Sequence, residues 1–147
     1  MIKITSLSQL EKYKTKEFYN PVDDCDHITY TFETNGVLQD VEFDIDINFC
    51  LEKQLQTLPH CENFFRHSFV AKNIKFNIGC VLYKVVAENL YSKNICDIEQ
   101  IEIKNNISAD RLASKNIVAK NIEANCCIIS KSIKCKHIDA KKIVFDT

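Results

Sequence analysis

The sequence predicts a mainly β chain: a parallel β-helix with four-sided coils, about four of them, behind a small α+β N-terminal cap. Three observations predict it. First, apolar residues fall on four interleaved columns that repeat every 21 or 22 residues: Ile74, Ile95, Ile117 and Ile138; Cys80, Ile101, Ile122 and Ile143; Val86, Ile107 and Ile128; Leu90, Leu112 and Ile133. Successive columns lie about five residues apart, so four short steps make one circuit, the pattern of a solenoid whose coils stack in register. Second, the first column carries the local strings AKNI, SKNI, SKNI and CKHI, with a small residue three before the Ile, a Lys two before and Asn or His just before. Small residues fit a tight interior, lysines suit an outer surface, and stacked asparagines form hydrogen-bonded ladders. Third, the chain of 147 residues holds only two glycines and two prolines, so little length goes to free-standing turns.

The elements follow in order. Ile2 and Ile4 start a strand. Ser8 and Glu11 have the spacing of a capping box and lead into a short helix through Leu10 and Tyr13, and Asn20-Pro21 breaks the chain. From Ile28 the apolar period becomes two, through Tyr30 and Phe32. Asn35-Gly36 is a hairpin turn signal, since both residues accept positive φ. Val41, Phe43, Ile45, Ile47 and Phe49 then share one face of a strand, with Glu42, Asp44, Asp46 and Asn48 on the other. Leu51, Leu55 and Leu58 fit a short helix stopped by Pro59. The repeat begins near Phe64 or Phe69. The expected division is an acidic α+β cap over residues 1–63 and a β-solenoid over 64–147.

Charge supports that division. Net charge is −1, but residues 1–65 hold five lysines against twelve acidic residues, and residues 66–147 hold fourteen basic against eight acidic ones. No run of about 18 apolar residues is present, so no membrane span is expected. The N-terminal stretch lacks the apolar core of a secretory signal, and the eight cysteines are therefore expected to be free thiols in a reducing cytoplasm.

Four steps of about five residues resemble the pentapeptide-repeat proteins, over Phe69 to Ile143. The resemblance implies a right-handed quadrilateral β-helix. Two departures qualify it. That family places its small residue two positions before a central Leu or Phe, whereas here it stands three before the Ile, as in Ser114 to Ile117 and Ala119 to Ile122. Several steps also have six residues, as from Ile101 to Ile107. A three-sided helix with larger coils accepts the same period. Some members of the family imitate duplex DNA, which needs a long acidic rod; four coils at ~4.8 Å each give a basic rod of about 19 Å.

Candidate chemistry is sparse. Cys25 with His27, His60 with Cys61, Cys126 with Cys127, and Cys135 with His137 are soft-ligand pairs, but the spacing of two to four residues between zinc-binding cysteines is absent, and Cys80 and Cys135 occupy columns otherwise filled by small or apolar residues. No metal or cofactor is expected. No nucleophile elbow, zinc-protease helix motif or glycine-rich phosphate loop occurs, so the expectation is a protein that is not an enzyme. Asp44 and Asp46 share one strand face and read as solvated surface. Lys72, Lys93, Lys115 and Lys136 are expected to stack along one edge, with Lys120 and Lys141 on the next face. With Asp44 and Asp46 they form the candidate interaction surface.

The expected function is therefore a non-catalytic protein-interaction module, for instance a phage or mobile-element inhibitor of a host enzyme or defence complex. Lys-, Asn- and Ile-rich usage fits an AT-rich bacterial or phage genome. The alternative is nucleic-acid binding along the lysine stripe. A protein target is the expected partner. Because Ile138, Ile143, Val144 and Phe145 close the repeat without a capping element, a homodimer through the C-terminal coil is expected as well.

Overall fold

A computed structural model, which describes residues 1–49 and 64–146, shows a β-solenoid of about five turns. Its strands in chain order are β1 (Ile2–Ile4), β2 (Lys14–Asn20), β3 (Cys25–Thr31), β4 (Glu33–Thr34), β5 (Val37–Leu38), β6 (Asp40–Phe43), β7 (Ile47–Asn48), β8 (Phe64–Val70), β9 (Asn73–Phe76), β10 (Cys80–Ser92), β11 (Ile95–Val118), β12 (Asn121–Lys134) and β13 (His137–Phe145). One 3₁₀ helix covers Leu7–Tyr13. The helix expected through Leu51, Leu55 and Leu58 lies outside the described residues.

Turn length is set by the parallel register. Ile74 lies beside Leu90, Leu90 beside Ile107, Ile107 beside Ile122 and Ile122 beside Ile138. One turn is thus 15 to 17 residues, the separation also seen in the side-chain bonds between turns. Three inward columns share each turn. The first face carries Val41, Ile74, Leu90, Ile107, Ile122 and Ile138. The second carries Ile47, Cys80 and Cys96, then Leu112, Ile128 and Ile143. The third carries Tyr30, Phe69, Val85 and Ile101, then Ile117 and Ile133.

This corrects the expected four-sided circuit. The step of five or six residues is right, but three steps close a turn, and a turn is therefore near 16 residues rather than 21 or 22. Steps on different faces have interchangeable requirements, a small residue and then an inward Ile, so three steps and four steps match equally well in the chain. The packed interior decides between them, because the inward side chains of each face stack tier on tier only in the register of three steps per turn. At the N-terminal end those side chains are aromatic: Phe43 stacks on Phe69 at 5.1 Å and on Phe76 at 5.0 Å, with Phe32 edge-on to Phe43 and Phe69.

Stacking does not begin at residue 64. β1 pairs in parallel with β6, β6 with β9, β7 with β10 and β3 with β8, so residues 2–4 and 25–49 supply the lowest tiers of the same core. What covers that end is β2, antiparallel to β3, together with the 3₁₀ helix, whose Leu10 is buried and whose Tyr13 packs on Phe32. The helix is capped two residues earlier than expected: Gln9 Oε1 accepts from Ser6 N at 3.1 Å and from Thr5 N at 2.6 Å. The hairpin falls where Asn35-Gly36 places it, with Glu33 opposite Leu38, Thr34 opposite Val37, and φ of 52° and 76° at the two turn residues. The strand expected from Val41 to Phe49 keeps its alternation, burying Val41, Phe43 and Ile47, but divides into β6 and β7 where the chain rounds a corner at 44–46.

A ladder of polar side chains runs up one edge of the first face. Asn73 Nδ2 donates to Asp40 at 2.7 Å, Asn89 to Asn73 at 2.8 Å and Asn121 to Asn106 at 2.8 Å; Asn106 N donates to Asn89 Oδ1 at 3.1 Å. His137 follows in register. The ladder expected from Asn73, Asn94 and Asn116 is distributed over different corners, for the same reason that the turn holds three steps.

Phe69 packs against five rings of the lower core, those of Tyr30, Phe32, Phe43, Phe49 and Phe76. Phe69→Ala is expected to lower unfolding free energy by about 3–5 kcal/mol, read as a drop in the urea midpoint. A drop under a third of that would mean the aromatic tiers do not hold the lower turns together.

Candidate interaction surface

The final strand, β13, pairs with β12 on one side and is the last in the sheet order; among the described residues nothing pairs with its other edge. Ile138 and Ile143 continue the first and second inward columns, and Phe145 follows Ser114 and Ser130. In lower turns these positions are sealed by the turn above. Here they are open, with Ile138 37%, Ile143 38% and Phe145 61% exposed. Val144 faces outward beside Ile129, at 37% and 42% exposure, so the apolar surface continues from the open end onto the second face. Unpaired backbone groups beside exposed core residues form a template for another chain. The four residues expected at this end are thus gathered on one surface.

The expected lysine stripe is not. Lys72, Lys120 and Lys136 share the corner between the third and first faces, where Lys136 N donates to Lys120 O and Glu88 N to Lys72 O. Lys93 and Lys141 sit at the corner between the first and second faces. Lys115 sits at the corner between the second and third, with Nζ 2.7 Å from Glu99. Residues 21 or 22 apart are four steps apart, and a three-step turn sends them to successive corners. Asp44 pairs with Lys3 at 3.1 Å and accepts from Asn77, and the hydrogen bonds of Asn77 and Lys3 hold its carboxyl below the usual range. Asp46 is exposed nearby. A shallow groove of about 460 Å³ on the first face is lined by residues that include Tyr91, Ser108, Glu123 and Asp139.

The corner beneath Lys115 holds a charged cluster that residue spacing does not reveal. Glu99, nearly buried, accepts from Arg66 Nη1 at 2.9 Å as well as from Lys115. Arg66 Nε donates to Cys25 Sγ at 3.3 Å, and its guanidinium lies 4.6 Å from the Tyr83 ring. Asp23 meets His27 Nε2 at 2.6 Å. Burial works to raise the Asp23 carboxyl, but the His27 hydrogen bond, its charge and the Cys25 backbone outweigh it and hold the group low. Arg66 is one of only two arginines, the one sequence signal that could have marked this corner. The members bond to one another, which makes the cluster a tie between β3, β8, β10 and β11.

The cysteines follow the same pattern. Cys25 Sγ donates to the Asp23 carbonyl and His27 turns to the Asp23 carboxylate. Cys80 and Cys96 meet inside the second face, Sγ to Sγ 3.4 Å, and burial pushes the Cys80 thiol up. Cys126, Cys127 and Cys135 are half-buried free thiols, and His137 is exposed. Among the described residues no three His, Cys, Asp or Glu side chains converge to hold a metal ion. His60 and Cys61 lie outside the described residues.

Fold and surface together define a β-solenoid that, among the described residues, is covered at its lower end and leaves one edge of β13 unpaired at its upper end. Comparison with protein-family models, with curated proteins and with solved structures gives no match. The pentapeptide-like steps therefore remain a local resemblance, and function is argued from the surface.

Two stability predictions follow from the cluster and from His67. Glu99→Ala leaves Arg66 without its carboxylate and is expected to cost about 3 kcal/mol, measured by urea unfolding; a loss within error of zero would show the cluster to be a solvated surface group. His67 stacks on Tyr30 and on Phe49, and burial, aided by the Lys14 charge, lowers its pKa to about 4 from 6.5. The unfolded chain then binds a proton near pH 6.5 that the folded chain refuses until about 4. Stability linked to neutral His67 is complete above 6.5 and declines as pH falls toward 4. His67→Phe should flatten the fall between pH 6.5 and 5; an unchanged slope would assign it to other groups.

Proposed function

We propose that this protein is a non-catalytic interaction module that binds a protein partner through the open end of its solenoid and the adjoining part of the second face. The observation that carries this reading is the exposure of Ile138, Ile143 and Phe145, three positions of the core columns, beside a nine-residue strand edge. Apolar surface of this kind, next to unmet backbone donors and acceptors, marks an association site. A rigid stack suits the role, since a preformed edge loses little conformational freedom on binding. An inhibitor that acts on a host enzyme or defence complex is the biological form we favour. No helix of the described residues is long and apolar enough to cross a membrane, and the free thiols support a reducing compartment such as the cytoplasm.

The test is affinity capture by the tagged full chain from lysate of its source cells, with and without nuclease, beside an Ile143→Asp/Phe145→Asp variant of matched circular dichroism. A discrete protein retained by the parent chain should fall about tenfold or more in the variant. Recovery that nuclease abolishes, or that the variant leaves unchanged, would overturn the reading, the first by pointing to nucleic acid.

A further inference from the structure

We propose that the partner at the open end is a second copy of this chain, with the two β13 strands pairing antiparallel about a two-fold axis that passes between Ala140 and Lys141. This rests on the interaction-module reading and names the occupant of that same surface. The argument is the self-complementarity of β13. Pairing about this axis sets Ile138 opposite Ile143 and Asp139 opposite Lys142, and the symmetry makes each pair twice.

Facing agrees with chemistry in the Ile138–Ile143 and Asp139–Lys142 pairs; Ala140 meets Lys141 at the axis, and His137 meets Val144 at the ends. Ile138 and Ile143 stand in register with Ile122 and Ile128, which are buried, so both point into the stack. Asp139 stands beside Glu123, and Lys142 beside Cys127 in the line that begins with exposed Arg111, so both point out. Apolar therefore meets apolar across the core, and carboxylate meets ammonium across the surface. Moving the axis by half a residue either way sets Ile138 against Lys142 or against outward-facing Val144. A slip of that size inverts the facing of each pair.

Two further observations favour this arrangement over others. The opposite end of the sheet offers β1, three residues long, and β2, seven, whereas β13 offers nine, the longest of these edges for a copy of itself to pair with. Antiparallel pairing also gives partners to the N–H and C=O groups of both edges.

The experiment is sedimentation velocity with the full chain at micromolar concentrations, for the parent, Asp139→Lys, Lys142→Asp and the double exchange. Expected is a species of twice the 17.0 kDa chain mass for the parent. Each single reversal should raise the dimer Kd about tenfold or more, and the double exchange should restore it. Both substitutions are at exposed sites, and circular dichroism confirms that each variant folds. A monomeric parent overturns the proposal, as does a dimer that the single reversals leave intact or that the exchange does not restore. If the parent is monomeric yet still captures a protein that Phe145→Asp releases, this proposal falls and the interaction-module reading stands.

Discussion

The constraint on which the rest of this protein depends is the parallel hydrogen-bonded register between successive turns. Each turn has little structure of its own: its inward residues are buried only because the turns below and above cover them. Register places Ile74, Leu90, Ile107 and Ile122 in one line, and puts the Asn side chains in contact along the edge of the first face. These amides are half-buried or exposed, so each ladder bond adds modestly to the alignment. A turn displaced by one residue would strand the amide ladder and turn the Ile column outward together, so ladder and core enforce the same alignment.

A structure built by repeated covering has a problem at its ends, and the two ends resolve it differently. At the lower end the interior is aromatic and the cover is local: the 3₁₀ helix lays Leu10 and Tyr13 over it while β2 pairs with β3. The Arg66–Glu99 pair then ties that end to the turns above, joining β8 to β11 across 33 residues. At the upper end the interior is aliphatic and no comparable cover is present among the described residues. The asymmetry is also electrostatic, since acidic residues concentrate in the lower portion and lysines in the upper. The surface most available for association is therefore apolar at its centre and basic at its margin.

Much of this was legible in the residues. The alternation from Val41 to Phe49, the Asn35-Gly36 hairpin and the five-residue step each follow from a local rule about which neighbours a side chain must satisfy. The number of steps per turn did not follow, because Ala71 to Ile74 and Ser114 to Ile117 satisfy the same local rule from different faces, while the matching string at Ser92 leads to Ile95, which is 56% exposed beside buried Cys96. Only contacts 15 to 17 residues apart distinguish three sides from four. The same ambiguity misplaced the lysines: Lys93 and Lys115 look equivalent in sequence, yet one lies at the corner of the first and second faces and the other bonds Glu99 at the next. The Arg66 cluster was illegible for a different reason, since its members come from residues 23 to 115 and share no pattern.

Side count has a functional consequence. Four steps per turn would have aligned Lys72, Lys93, Lys115 and Lys136 into a continuous cationic edge, the geometry that a polyanion recognises through summed phosphate contacts. Three steps disperse them over three corners, where Lys115 is neutralised by Glu99. Dispersed charges keep the sides of the stack soluble and discourage lateral sheet association. They leave the end as the place where chemistry changes, because there the core columns reach the surface unaltered. Ile138 and Ile143 are the residues that every lower turn buries, so a partner that completes this surface must present what another turn would present: a strand edge with apolar side chains in step. That requirement is narrow, and it makes recognition at this end a matter of register, governed by the same rule that assembles the turns beneath it.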